Sequence, residues 1–208
     1  MDSHSGETRP IERAAAVARS TDAAVLRAAA LDDPDPRVRA VAIAALVRTV
    51  ARRTSAPVWR RVVNDPAPAV RLRAAEVAPV LGRSASCSAL LALLADDDAW
   101  VAEAAAYAIG EHPAPTRTAL EAIARAATSH RDPLVREAAV AALGAQGDPD
   151  TLPAVLAACD DRPAIRRRAV LALAAFDGPE VEARLEAARA DPDWQVRQAA
   201  EDLLGVTP

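Results

Sequence analysis

Residues able to do covalent or metal chemistry are few and scattered. Three histidines, His4, His112 and His130, and two cysteines, Cys87 and Cys159, are spread over 208 residues. A transition-metal site needs several such donors brought together, and the one histidine beside a carboxylate is that of Glu111-His112. There is no Gly-rich phosphate loop and no Gly-x-Ser-x-Gly elbow, and neither cysteine has a histidine close in sequence to serve as its base. The expectation is a chain with no catalytic residues, no metal and no cofactor. Recognition chemistry stands out instead. Trp100 and Tyr107, the latter the only tyrosine, are seven residues apart, two turns along one helix face, and large aromatics near arginine are the side chains enriched in binding hot spots.

The composition says what kind of scaffold must position them. Hydrophobic residues make up 51% of the chain but aromatics only 2%, so a core must be filled by Ala, Leu and Val. Alanine has the highest helix propensity and lets helices approach closely, which predicts an all-α protein. A formal charge of −4 argues against a general nucleic-acid binder. The balance is uneven: residues 1–61 hold 11 Arg against 7 acids, and residues 62–208 hold 14 against 22. Every basic residue is arginine, as a GC-rich coding sequence would produce. Both cysteines sit in apolar helical runs and read as small core residues in a reducing compartment. No signal-peptide pattern opens the chain and no apolar run reaches the ~20 residues of a membrane span. The expected setting is soluble and cytoplasmic, with residues 1–8 disordered.

One pattern recurs along almost the whole chain. Anchored on its aliphatic residue it gives Val38, Val70, Val101, Val135, Ile165 and Val196, at spacings of 32, 31, 34, 30 and 31. Four residues after the anchor stand Ala42, Ala74, Ala105, Ala139, Ala169 and Ala200, and eight after it Leu46, Ala78, Ile109, Leu143, Leu173 and Leu204. These three positions form one buried helical stripe. Pro36, Pro68, Pro133 and Pro163 open the helix, with Asp35, Asp98, Asp132 and Asp193 as N-caps. Gly110, Gly144 and Gly205 are placed to end it. A shorter apolar segment precedes each copy, predicting first helices near 21–31, 56–64, 86–95, 116–128, 150–158 and 179–190.

This run of Asp-Pro, Val-Arg and trailing Ala and Leu resembles HEAT repeats, in the short form also seen in bilin lyase subunits. The ankyrin and tetratricopeptide signatures are missing. The resemblance implies a right-handed α-solenoid of about six helical hairpins in one domain over 9–205, with a cap helix at 9–19. Repeats are expected near 21–50, 55–81, 86–110, 115–144, 149–176 and 179–205. Glu201 in place of an apolar residue marks the sixth copy as terminal. Arg39, Arg71, Arg136, Arg166 and Arg197, one after the anchor, are matched by Asp33, Asp65, Asp96, Asp160 and Asp191, five before it. They read as a structural ladder of ion pairs, broken by Ala102 and His130. Deoxyhypusine hydroxylase, an enzyme on this fold, holds two irons with His-Glu dipeptides; the chain has none, so the resemblance does not carry that activity.

On the helical wheel the positions −1, +2, +3 and +6 lie opposite the buried stripe, which in a HEAT stack lines the concave groove. There the sequence places Trp100, Glu103, Tyr107, Leu134, Arg167 and Arg168, with Arg73 and Glu76 in the second repeat. Trp59 and Trp194 read as packing residues. Arg48, Arg52, Arg53, Arg60 and Arg61 form a second, basic patch that could meet phosphate or an acidic protein. The function expected is a monomeric, non-catalytic adaptor holding a protein segment in the groove. Resemblance also leaves open a nucleic-acid binder like the HEAT-like DNA glycosylases and a chaperone like the bilin lyase subunits.

Overall fold

The computed structural model describes residues 9–205, so the N-terminal stretch 1–8 expected to be disordered lies outside the described residues. Among those residues every regular element is helical. The packing divides the chain into two compact units, residues 1–89 and 90–208.

In the first unit a lone helix α1 (Pro10–Arg19) precedes the hairpins α2 (Ala23–Asp32) with α3 (Pro36–Thr49) and α4 (Arg52–Val62) with α5 (Pro68–Leu81). α1 packs on α3 and α3 on α5, while α2 packs on α4. The cap helix therefore lies in the layer of second helices. α6 (Cys87–Leu94) spans the boundary between the units. The second unit continues with α7 (Ala99–Gly110), then α8 (Arg117–Ser129) with α9 (Pro133–Gln146), α10 (Leu152–Ala158) with α11 (Pro163–Ala172), and α12 (Pro179–Ala188) with α13 (Trp194–Leu204). Here α7, α9, α11 and α13 form one layer, and α8 and α10 pack together in the other.

The recurring stripe is the core. Val38, Val70, Val101, Val135, Ile165 and Val196 and all six alanines that follow them are buried. The four expected aspartate caps act as such: Asp35, Asp98, Asp132 and Asp193 each accept a hydrogen bond from a backbone N–H two residues on, at 2.8–2.9 Å. First helices begin within a few residues of expectation. The largest difference is α4, which starts at Arg52 and includes Pro57. Proline as the sixth helical residue forfeits one intrahelical bond, and burial of Ser55, Ala56, Val58, Trp59 and Val62 offsets the loss. Trp59 is wholly buried and its indole N–H donates to the Ala74 carbonyl at 2.7 Å, so its packing role holds.

Two glycines set how closely second helices approach, and of these Gly110 ends its helix as expected while Gly144 does not. Gly144 lies inside α9, and a Cβ there would come within 2.8 Å of the Ala172 Cβ on α11. At Gly110 it would meet Ala142 of α9 at the same 2.8 Å. Both are contact points where one second helix touches the next. The turn that ends α9 is made by Gly147, at φ +59, whose N–H donates to Leu143 O. Gln146 reaches back across the Gly110–Ala142 contact, its amide donating to the Ile109 and His112 carbonyls at the end of α7.

Candidate partner-binding face

The ladder sets the frame for the exposed face. Arg39 places its Nε and Nη2 on the Asp65 carboxylate, both at 2.8 Å, while Nη1 donates to the Asp33 carbonyl of its own loop. Arg166 does the same with Asp191 and the Asp161 carbonyl. α1 joins the ladder, since Arg13 forks onto Asp33. Each rung thus ties a second helix to the loop of the following hairpin.

One partner differs from expectation. Arg136 pairs with Asp161, four residues before its anchor, at 2.7 and 3.0 Å. Asp160 instead meets Arg184 of α12. The 30-residue spacing between Val135 and Ile165 shortens this loop and moves the acid by one position. The arginine beside them holds Asp33, Asp161 and Asp191 below the ordinary carboxylate value. Burial works to raise Asp65, and the bonds from Arg39 and the Ala67 N–H overcome it.

Both break points of the ladder belong to a single rung. Ala102 stands where the third repeat would present arginine, and His130 where the fourth would present aspartate. His130 retains one of the two contacts an aspartate makes here. Its Nδ1 accepts the Asp132 N–H at 3.1 Å, as Asp33 accepts that of Asp35. His112 makes the same two-residue turn with Ala114 N–H. Both imidazoles thus serve backbone turns. No group of three His, Cys, Asp or Glu side chains is gathered as metal ligands are among the described residues. Burial pushes the Cys159 thiol up despite a bond from Arg184.

With the stripe inside, the predicted positions come out on the other side of the second helices. Trp100 is 63% exposed and Tyr107 56%. A furrow of about 290 Å³ is lined by Glu103 and Tyr107 of α7, Leu134, Glu137, Ala138 and Ala141 of α9, and Arg168 of α11. It continues across Arg168 and Leu171 into a second depression of about 350 Å³, and from Leu171 into a third of about 120 Å³. Trp100 stands outside its lining. Arg168 lies 3.5 Å from Glu137, and Arg167 lines the third depression. In the first unit Arg73 and Glu76, both exposed on α5, pair with each other at 2.7 Å.

One lining residue contradicts its sequence reading. Trp194, expected to pack, is 64% exposed and forms a wall of the third depression with Arg167, Gln198 and Asp202. It occupies the helix-opening place that Pro36, Pro68, Pro133 and Pro163 hold elsewhere, a place outside the buried stripe. The signal lies in that register position and not in aromatic size.

An all-helical chain of hairpins with this ladder is an α-solenoid. It belongs to the HEAT repeat family, whose model matches residues 23–110, 88–164 and 120–205. No curated protein matches the sequence. Among solved structures, the Escherichia coli protein YibA is 18% identical over 97% of this chain and 72% of its own, with a TM-score of 0.67. The complex of CpcE and CpcF of phycocyanin lyase from Nostoc sp. PCC7120 is 21% identical over 99% and 80%, with a TM-score of 0.63. A designed armadillo repeat protein in complex with the peptide (KR)4 is 16% identical over 86% and 97%, with a TM-score of 0.61. At these identities the shared property is the fold. No described helix is long and apolar enough to cross a membrane.

Proposed function

We propose that the protein is a non-catalytic interaction scaffold that holds a segment of another protein along the second-helix face of residues 99–204. The observation that carries this reading is the exposure of Trp100, Tyr107 and Trp194 on a face otherwise floored by alanine. Three large aromatics left in water on one layer are the raw material of an interface. Carboxylates at Glu103 and Glu137 and guanidinium groups at Arg167 and Arg168 give the furrow both signs of charge, which favours a defined segment over a uniform polyanion. The imidazoles committed to turns and the raised Cys159 thiol support the absence of catalysis. The designed armadillo protein with its bound peptide offers a precedent for the fold in this use. We place its action in the cytoplasm, as a monomer with both thiols reduced.

The test is affinity capture from lysate with and without nuclease, comparing wild type with a Trp100→Ala, Tyr107→Ala, Arg167→Glu variant, followed by rebinding of the purified partner. A nuclease-resistant protein held by wild type and lost by the variant is the expected result. Equal capture by both forms would put the interface elsewhere, and capture abolished by nuclease would replace a protein partner with a nucleic acid.

A further inference from the structure

The first unit carries a different kind of surface. Between Pro36 and Asn64 the chain has seven arginines and no acidic residue. Arg39 is neutralised by Asp65 and Arg37 by Asp35, and Arg48 reaches only the Ala18 carbonyl at 3.4 Å. The remaining four, Arg52, Arg53, Arg60 and Arg61, all lie on α4, all are exposed, and none of their side chains makes a hydrogen bond or ion pair among the described residues. By contrast Arg13, Arg39, Arg136 and Arg166 each fork onto an aspartate. The two units differ accordingly: residues 1–89 hold 14 arginines against 9 acids and residues 90–208 hold 11 against 20.

We infer that the outer face of α4 is a docking surface for the phosphate backbone of a nucleic-acid duplex. Three features choose this occupant. The face is electrostatic throughout: Val58, Trp59 and Val62 are buried, and Thr54, Pro57 and Asn64 are what accompany the arginines in solvent. A protein partner would need an apolar anchor, and a single strand would need an aromatic platform for its bases. At about 100° per residue Arg53 and Arg60 share one side of the helix, about 10 Å apart along its axis, with Arg52 and Arg61 flanking them, so the four guanidinium groups spread over the exposed half of α4 and can follow a line of phosphates. Hydroxyl and amide groups such as those of Thr54 and Asn64 are ordinary phosphate ligands, and α4 has no side-chain cap at Ala51 to compete for its first N–H groups. The surface reads no base, so binding is independent of sequence. It is also independent of the furrow on the second unit.

The experiment is fluorescence anisotropy of a labelled 20-base-pair DNA duplex against the full chain from 50 to 200 mM salt. Four phosphate contacts predict a slope of log K on log salt of about −3.6, hence a loss of roughly 150-fold over that range. In Arg52→Glu, Arg53→Glu the slope should halve, to about −1.8, and affinity at 50 mM should fall at least tenfold. Acids in a first helical turn favour the helix, so this variant keeps its fold, and its circular dichroism and melting check that it does. Arg83→Glu, Arg162→Glu, which removes the same charge elsewhere, should bind as wild type. The inference is overturned by no binding at 50 mM, by equal losses in the two variants, by tighter binding of the single strand, or by polyglutamate competing as well as duplex.

Discussion

Replacing glycine by alanine inside a helix ordinarily adds stability, and at Gly144 the reverse is expected. Intrinsic propensity favours alanine by about 0.8–1.0 kcal/mol. Against it stands the contact with α11: the added Cβ would lie 2.8 Å from the Ala172 Cβ and 2.9 Å from its Cα, where carbon atoms prefer about 3.5–4.0 Å. Backbone is among the atoms met, so no rotamer change relieves the clash, and α9 and α11 must separate by several tenths of an ångström. Overpacking of this kind costs about 1–3 kcal/mol, leaving a net destabilisation of about 1 kcal/mol and a fall in Tm of about 2–4 °C for a chain of this size. Thermal and urea unfolding followed by circular dichroism measure it. Gly144→Val, with the same clash enlarged and a smaller propensity gain, should lose more, and adding Ala172→Gly to Gly144→Ala should recover part of the loss. A higher Tm in Gly144→Ala would refute the close-contact account and return Gly144 to the status of an ordinary helical glycine.

Acid should weaken the fold through its rungs. Asp33, Asp161 and Asp191 titrate below their ordinary 3.8 in the folded chain, so their contribution is present above about pH 4 and is lost as pH falls through the folded values; the pH dependence of Tm should be shallower in Asp161→Asn. The broken rung should be repairable: in a double-mutant cycle of Ala102→Arg and His130→Asp, the pair should show a favourable coupling of about 1–3 kcal/mol, and zero coupling would mean that the two positions do not face each other. Native thiol labelling should modify half-buried Cys87 before Cys159, whose burial raises its pKa; faster reaction at Cys159 would show that its helix opens locally.

Much of this architecture is legible in the residues because each repeat states it again. A valine, an alanine four on and a leucine eight on specify a buried stripe whatever the spacing between copies, and four aspartates just before a proline or its equivalent mark helix starts. The candidate face follows by subtraction, which is why Tyr107, Glu103, Leu134 and Arg168 line one furrow while Trp100, on the same helix, stands exposed beside it. Single-copy departures are harder. The start of α4 is hidden by Pro57 and by arginines that carry no apolar period. The exchange of Asp160 for Asp161 depends on a loop one residue short, which counting from the anchor alone misplaces. Residue type alone misreads Trp194, whose register puts it in solvent. At Gly144 the position nine after the anchor suits a helix end in isolation, and the proximity of Ala172 is a property of the neighbouring helix that no local pattern contains.

The odd rung gives the array an order. Four of the described rungs share one chemistry, a guanidinium fork on a carboxylate, so any repeat offering arginine fits any loop offering aspartate, and a chain of such modules can assemble out of sequence or with a second copy of itself. Ala102 and His130 are excluded from that interchange. An arginine brought up to His130 finds an imidazole whose Nδ1 is already bonded to the turn, and a carboxylate brought up to Ala102 finds no donor. The third repeat and the fourth therefore fit each other better than either fits a stranger, and that one mismatched pair works as an address within an otherwise repetitive text.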